Sequence, residues 1–150
     1  MIKGQIIGDY KILQDFTTAG GGQSKWTFAE KDGKQYFIKE FLHPTYPSTA
    51  SPGSEAVKAK KLAVCDAFER QFRKRIDLLS PFAVPGGNLV HTVDFFRFGS
   101  RYYKVTEKIT AISDPQEVLV NRPLRERLIV LTALTHTLRI LHSQGIVHGD

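Results

Sequence analysis

Between Ser54 and Pro81 the apolar residues Leu62, Cys65, Phe68, Phe72, Ile76 and Leu79 recur at intervals of three and four. That spacing puts them on one side of an α-helix of about seven turns, with Lys, Arg, Asp and Glu on its other sides. Ser54 offers a side-chain oxygen to the first free amides, and Glu55 is favoured in the first turn by the helix dipole. Pro81, Pro85, Gly86 and Gly87 end the run. One long apolar stripe has to dock on an apolar surface, and the chain reads as strands on both sides of it. Two layers, a sheet and a helix, follow from that arrangement.

Residues 8 to 41 read as a β-meander. Tyr10, Ile12 and Leu13 open it; after a glycine-rich interruption Trp26, Phe28 and Ala29 run to Lys31-Asp32-Gly33-Lys34, and Tyr36, Phe37 and Ile38 return. Asp-Gly between apolar runs marks a tight hairpin, because Gly accepts the positive φ the turn demands. Residues 43 to 53, with Pro44, Pro47 and Pro52, form a loop. Beyond the helix a second strand pair runs from Leu89 to Phe98 and from Tyr102 to Ile109 around a turn at Gly99-Ser100. The unit is therefore α+β, with five antiparallel strands and one long helix, and occupies residues 1 to 109.

Residues 110 to 121 read as a polar connection containing Ser113-Asp114-Pro115. Asn121 and Pro123 suit the cap and first turn of a last helix, whose stripe is Leu124, Leu128, Leu131, Leu134, Leu138 and Leu141, with Gly145 at its C-terminal end. No partner for this stripe remains in the sequence. Leaving it in water costs on the order of 10 kcal/mol, so the polypeptide reads as truncated, with 110 to 150 an incomplete second unit.

A chain of 150 residues that is 41% apolar, with 12 Gly and 7 Pro, is neither disordered nor collagenous. Its one cysteine, Cys65, excludes an internal disulfide and favours a reducing compartment, the cytoplasm. No apolar run approaches the roughly 18 residues of a membrane span, and no signal-peptide stretch follows Met1. The net charge of +6 suits nucleic acid, an anionic surface or a phosphorylated ligand. Lys58, Lys60, Lys61, Arg70, Arg73, Lys74 and Arg75 are spread around the polar side of the long helix and interrupted by Asp66 and Glu69. A solvated face accounts for them, so neither nucleic acid nor a membrane is the expected partner. His136, His142 and His148 are spaced by six, off a common helix face, and make no metal site.

Four segments, in order, carry the chemistry: Ala19-Gly20-Gly21-Gly22-Gln23-Ser24; Phe37-Ile38-Lys39; Val105-Thr106-Glu107-Lys108-Ile109; and Ile140 to Asp150, ending His148-Gly149-Asp150. Consecutive glycines between two strands let backbone amides approach phosphate oxygens where no Cβ intervenes. A lysine after two apolar strand residues presents its ammonium beneath the sheet. The ordered set resembles the eukaryotic-like protein kinase superfamily, over its N-terminal lobe and the start of its C-terminal lobe. The family's Asp-Phe-Gly metal motif and catalytic-loop Asn are not among these 150 residues.

The resemblance implies ATP as cofactor, with Mg²⁺ held by residues beyond Asp150, and an unidentified protein substrate or regulatory protein as partner. Gly20, Gly21 and Gly22 would cover the nucleotide, and Lys39 would contact its α- and β-phosphates, held by Glu69 of the long helix. Glu69 also has Arg73 at i+4 for a partner, as an ordinary solvated helix pair would. Thr106 takes the gatekeeper place, and the backbone of Glu107 and Ile109 the adenine edge. Asp150 would be the catalytic base, and His148 a packing residue of its loop. The departures are specific. Ala19, Gly21 and Ser24 stand at the three glycine positions, Gly149 replaces the common arginine, and Trp26 and Phe37 replace the small Val and Ala above the adenine. The implied function is the N-terminal half of an ATP-dependent serine/threonine protein kinase, inactive as a fragment. A small-molecule phosphotransferase of the same fold, or a non-catalytic kinase-like binding module, stays open beside it.

Overall fold

The computed structural model describes residues 3–84, 86–110 and 114–147. Asp150, His148 and Gly149, and residues 111 to 113 of the connection, lie outside the described residues. The elements in chain order are β1 (Ile6–Ile7), β2 (Tyr10–Ile12), β3 (Ser24–Lys31), β4 (Lys34–Phe41), α1 (Glu55–Leu79), β5 (Thr92–Phe98), β6 (Arg101–Glu107), α2 (Pro115–Val120) and α3 (Leu124–Ser143). The strands make one six-stranded sheet in the order β1-β2-β3-β4-β6-β5, antiparallel throughout.

The β3–β4 hairpin turns where Asp-Gly requires it. Lys31 pairs with Lys34, and Asp32 and Gly33 both have positive φ, 52° and 74°. Such a two-residue turn matches the right-handed twist of its strands. Ser54 caps α1 by accepting from the Val57 amide at 3.4 Å. At the far end of α3, Gly145 takes φ 70° and donates its amide to the His142 carbonyl.

Three features differ from the reading of the sequence. The last helix begins at Leu124 with Pro123, not Asn121, at its cap position and no side-chain hydrogen bond there. A sixth strand, β1, precedes the expected five; two residues are too short a run for period-2 alternation to show. The polar connection contains a helix, α2, because Asp114 accepts from the Gln116 amide at 2.9 Å and Pro115 fits a first helical position that needs no donor. Asp-Pro there starts a short helix within the connection.

Alternation along the strands divides the side chains between the two faces of the sheet. On one face Ile7, Tyr10, Ile12, Ala29, Ile38, Tyr103 and Val105 form a core that Phe16, Tyr36 and Phe96 close. The carboxylate of Glu40 is buried on that face, where it accepts from the Tyr103 hydroxyl at 3.1 Å, with Lys25 and Arg101 each 3.9 Å away. On the other face α1 docks by its stripe. Cys65, Phe68, Phe72 and Ile76 meet Phe41, Phe95 and Tyr102, with the Phe72 and Phe95 rings stacked 4.3 Å apart. The apolar stripe of α3 lies in the open: Leu124, Leu128, Leu131, Leu134 and Leu138 are all exposed.

Candidate functional site

On β4 the residues Phe37, Lys39 and Phe41 share the face that carries α1. The register sets Phe28, Trp26 and Ser24 beside them on β3 and Thr106, Lys104 and Tyr102 beside them on β6. The Phe41–Tyr102 row lies under α1, and the rows of Lys39 and Phe37 continue beyond it along the strands. There Trp26 and Phe37 stack at 5.3 Å, 28° from parallel, and Phe28 meets both edge-on at 5.9 and 6.1 Å. All three rings are half-buried. The site is thus a partly open aromatic roof beside a row of two lysines.

The glycine segment folds back on the start of β3. Gly21 donates to the Thr18 carbonyl at 2.9 Å and accepts from the Ser24 amide at 3.1 Å and from the Ser24 hydroxyl. A Cβ on Gly21 would collide with the Ser24 carbonyl oxygen and crowd that of Thr18, so this turn closes only around glycine. The indole of Trp26 donates to the Ala19 carbonyl at 2.7 Å, tying the segment to the aromatic roof.

Lys39 is half-buried, directly across from Trp26 on one side and Lys104 on the other. Glu69 engages Arg73 instead of Lys39: the guanidinium donates to one carboxylate oxygen at 2.8 and 3.1 Å. Arg73 itself lies 5.4 Å from the Phe95 ring centroid, which draws this pair toward β5. Among the described residues no ion pair includes Lys39. Thr106 is buried across from Phe37, at the back of the roof. Glu107 ends β6, its carboxylate 3.5 Å from the His91 amide, and Ile109 is exposed just beyond. Burial raises the Cys65 thiol above its ordinary value, which keeps it protonated and inert on the sheet-facing side of α1.

Over its full length the chain superposes on the kinase domain of PknI from Mycobacterium tuberculosis. A cysteine-to-alanine mutant of that domain matches with a TM-score of 0.61 and 18% identity, this chain covering 55% of it. A second structure of the domain matches at 0.59 and 16%, over 54% of its length. A double mutant matches at 0.59 and 17%, over 53%. The fold is that of a protein kinase domain, over about half its length. No family model and no curated protein matches the chain.

In this kinase-like lobe the aromatic roof and Lys39 lie on the α1 face, as the strand alternation requires. Two of its residues escaped the reading of the sequence. Phe28 completes the ring cluster two residues after Trp26, and Lys104 stands two before Thr106, so both share the face of residues already singled out. The period of two was the signal that would have found them. Desolvation, with a smaller contribution from the charge of Lys39, holds the Lys104 ammonium below the usual lysine range. Among the described residues no group of three His, Cys, Asp or Glu side chains could hold a metal ion.

Proposed function

We propose that the protein is the N-terminal half of an ATP-dependent serine/threonine protein kinase, which transfers the γ-phosphoryl group of ATP to a protein hydroxyl. One observation carries the reading: Lys39, Thr106 and the aromatic roof occupy a single face beside α1 in a kinase-like lobe. The base is taken by that roof under the turn of Gly20, Gly21 and Gly22, with the backbone of Glu107 and Ile109 along its edge. The Lys39 ammonium binds phosphate oxygens as a point charge, and Asp150 accepts the proton of the attacking hydroxyl. Glu69 holds Lys39 once it exchanges Arg73 for it.

The stack of Trp26 on Phe37 supports a second reading, a kinase-like module that binds without catalysis, since the two rings fill space that a base would need. Phosphate transfer to a protein acceptor separates the two. The full-length protein is incubated with γ-labelled ATP and a general protein substrate. The kinase reading expects incorporation that Asp150→Ala abolishes and Lys39→Ala lowers by at least a hundredfold, with the melting temperature of the Lys39 variant within a few degrees of the parent. Incorporation that both variants leave unchanged overturns it. ATP-induced stabilisation without any transfer assigns the module reading instead.

A further inference from the structure

We propose that Lys104 and Lys39 together form a two-cation cradle for the phosphate chain of a nucleoside triphosphate, with Lys104 a phosphate-binding residue in its own right. The proposal rests on the nucleotide-binding reading above and extends it to a residue which that reading did not use.

The two lysines are directly opposed on adjacent antiparallel strands, β4 and β6, with side chains on the same face. Opposed residues of such a pair have their Cα atoms about 5 Å apart, and like charges placed there repel. An opposite charge relieves that repulsion, and in this structure the nearby carboxylates have other partners. Glu69 is held by Arg73, and Glu40 faces the opposite side of the sheet with the Tyr103 hydroxyl. Asp94 of β5 accepts from the Tyr10 hydroxyl at 3.3 Å on that same far side. Among the described residues neither lysine takes part in any ion pair. Lys104 is half-buried between Phe95 and Lys39, so it resists its charge until a ligand brings an opposite one.

The neighbours specify the class of anion. Along β4 the Lys39–Lys104 row lies next to the Phe37–Thr106 row, and Trp26 pairs with Lys39 on the other side. A ligand with a flat ring at one end and several linked anionic groups at the other spans both rows. A nucleoside triphosphate has that form, and its phosphate oxygens reach two ammonium groups at once. With Trp26 and Phe37 crowding the place of the base, the phosphates carry a larger part of the affinity, and a second lysine supplies it.

Calorimetric titration of the full-length protein with ATP, inorganic tripolyphosphate and adenosine tests this, using Lys104→Met, Lys104→Gln and Lys104→Arg. Both uncharged variants are expected to weaken ATP and tripolyphosphate about tenfold and to leave adenosine unchanged, while Arg restores binding. The ligand-free melting temperature of Lys104→Met is expected to rise, because a desolvated cation has been removed. If ATP binds the parent and both uncharged variants equally, the cradle is wrong and nucleotide binding stands. If the parent binds tripolyphosphate through Lys104 but neither ATP nor adenosine, the nucleotide reading fails while the anion cradle stands. A parent that binds none of the three, or uncharged variants that lose their melting transition, overturns the proposal by showing no anion site or a lysine required for folding.

Discussion

On the reading proposed above, Phe37 governs how a nucleotide uses the cleft, because the resemblance sets its ring where the family has a small alanine. It touches Trp26 face-on and Phe28 edge-on, and such contacts stabilise by about 0.5–1.5 kcal/mol beyond their buried area. Phe37→Ala removes both contacts and opens the space beneath. The melting temperature of the full-length protein is expected to fall by several degrees while ATP affinity rises about tenfold. Calorimetry on parent and variant checks this, and tight ATP binding by the parent that Phe37→Ala weakens would show that the ring stacks on the base. At this scale the sequence read well where alternation applied: Phe37 and Lys39 fall on one face as their spacing of two requires, and the pairing of β4 with β3 and β6 brings Trp26 and Thr106 onto it. Glu69 read as a choice between Lys39 and Arg73. The structure shows it on Arg73, because a partner four residues along the same helix needs no closure of the cleft.

Among the elements, α1 is held to the sheet by few but large side chains. Phe72 stacks on Phe95 at 4.3 Å and meets Phe41 at 5.2 Å and Phe68 at 5.8 Å. Truncating it leaves a cavity between the layers, and Phe72→Ala is expected to cost about 3 kcal/mol, read as a lower denaturant midpoint for the far-ultraviolet signal. Arg70→Ala, on the solvent side of the same helix, is the control and is expected to stay within about 0.5 kcal/mol of the parent. A Phe72 variant as stable as that control would mean that α1 is not docked by its stripe. The stripe itself was plain from Leu62 to Leu79, as were the Ser54 cap and the Asp-Gly turn, because each depends on neighbours within a few residues. The short elements were not. Strand β1 has two residues and helix α2 six, and over such lengths no periodicity develops.

For the molecule as a whole, buried tyrosines on both faces of the sheet make stability fall at high pH. Burial, reinforced by Asp94 at Tyr10 and by Glu40 at Tyr103, raises both phenols above the ordinary tyrosine value, and burial beside Cys65 pushes Tyr102 up to about 12. These phenols keep their protons in the folded chain after an unfolded chain has begun to lose them. The stabilisation is therefore fully present below about pH 10, the unfolded value, and is lost progressively as pH rises above it toward the folded values. Alkaline titration is expected to give a cooperative loss of circular dichroism above about pH 10, with the last tyrosinate absorbance appearing together with unfolding. Complete ionisation of all tyrosines near pH 10 with the dichroism intact would contradict this. The exposed stripe of α3 belongs to the same scale: Leu124, Leu128, Leu131, Leu134 and Leu138 have no cover among the described residues, and the chain spans 53% to 55% of the PknI kinase domains it matches.

By itself the sequence determined the order of the longer strands and helices, the alternation of side chains along each, and the resemblance to a kinase lobe. Those features follow from the periods 2 and 3.6 and from turn and cap chemistry acting over a few residues. Only the tertiary structure decided which faces meet. The strand order β4-β6-β5 brings Lys104 across from Lys39, although 65 residues of sequence separate positions 39 and 104, and no local rule connects them. The β3–β4 register stacks Trp26 on Phe37, and the β4–β6 register sets the two lysines opposite one another with no ion pair to either among the described residues. Chain connectivity sets what each strand presents; hydrogen bonding between strands distant in sequence sets what it is presented to, and that second step makes the site.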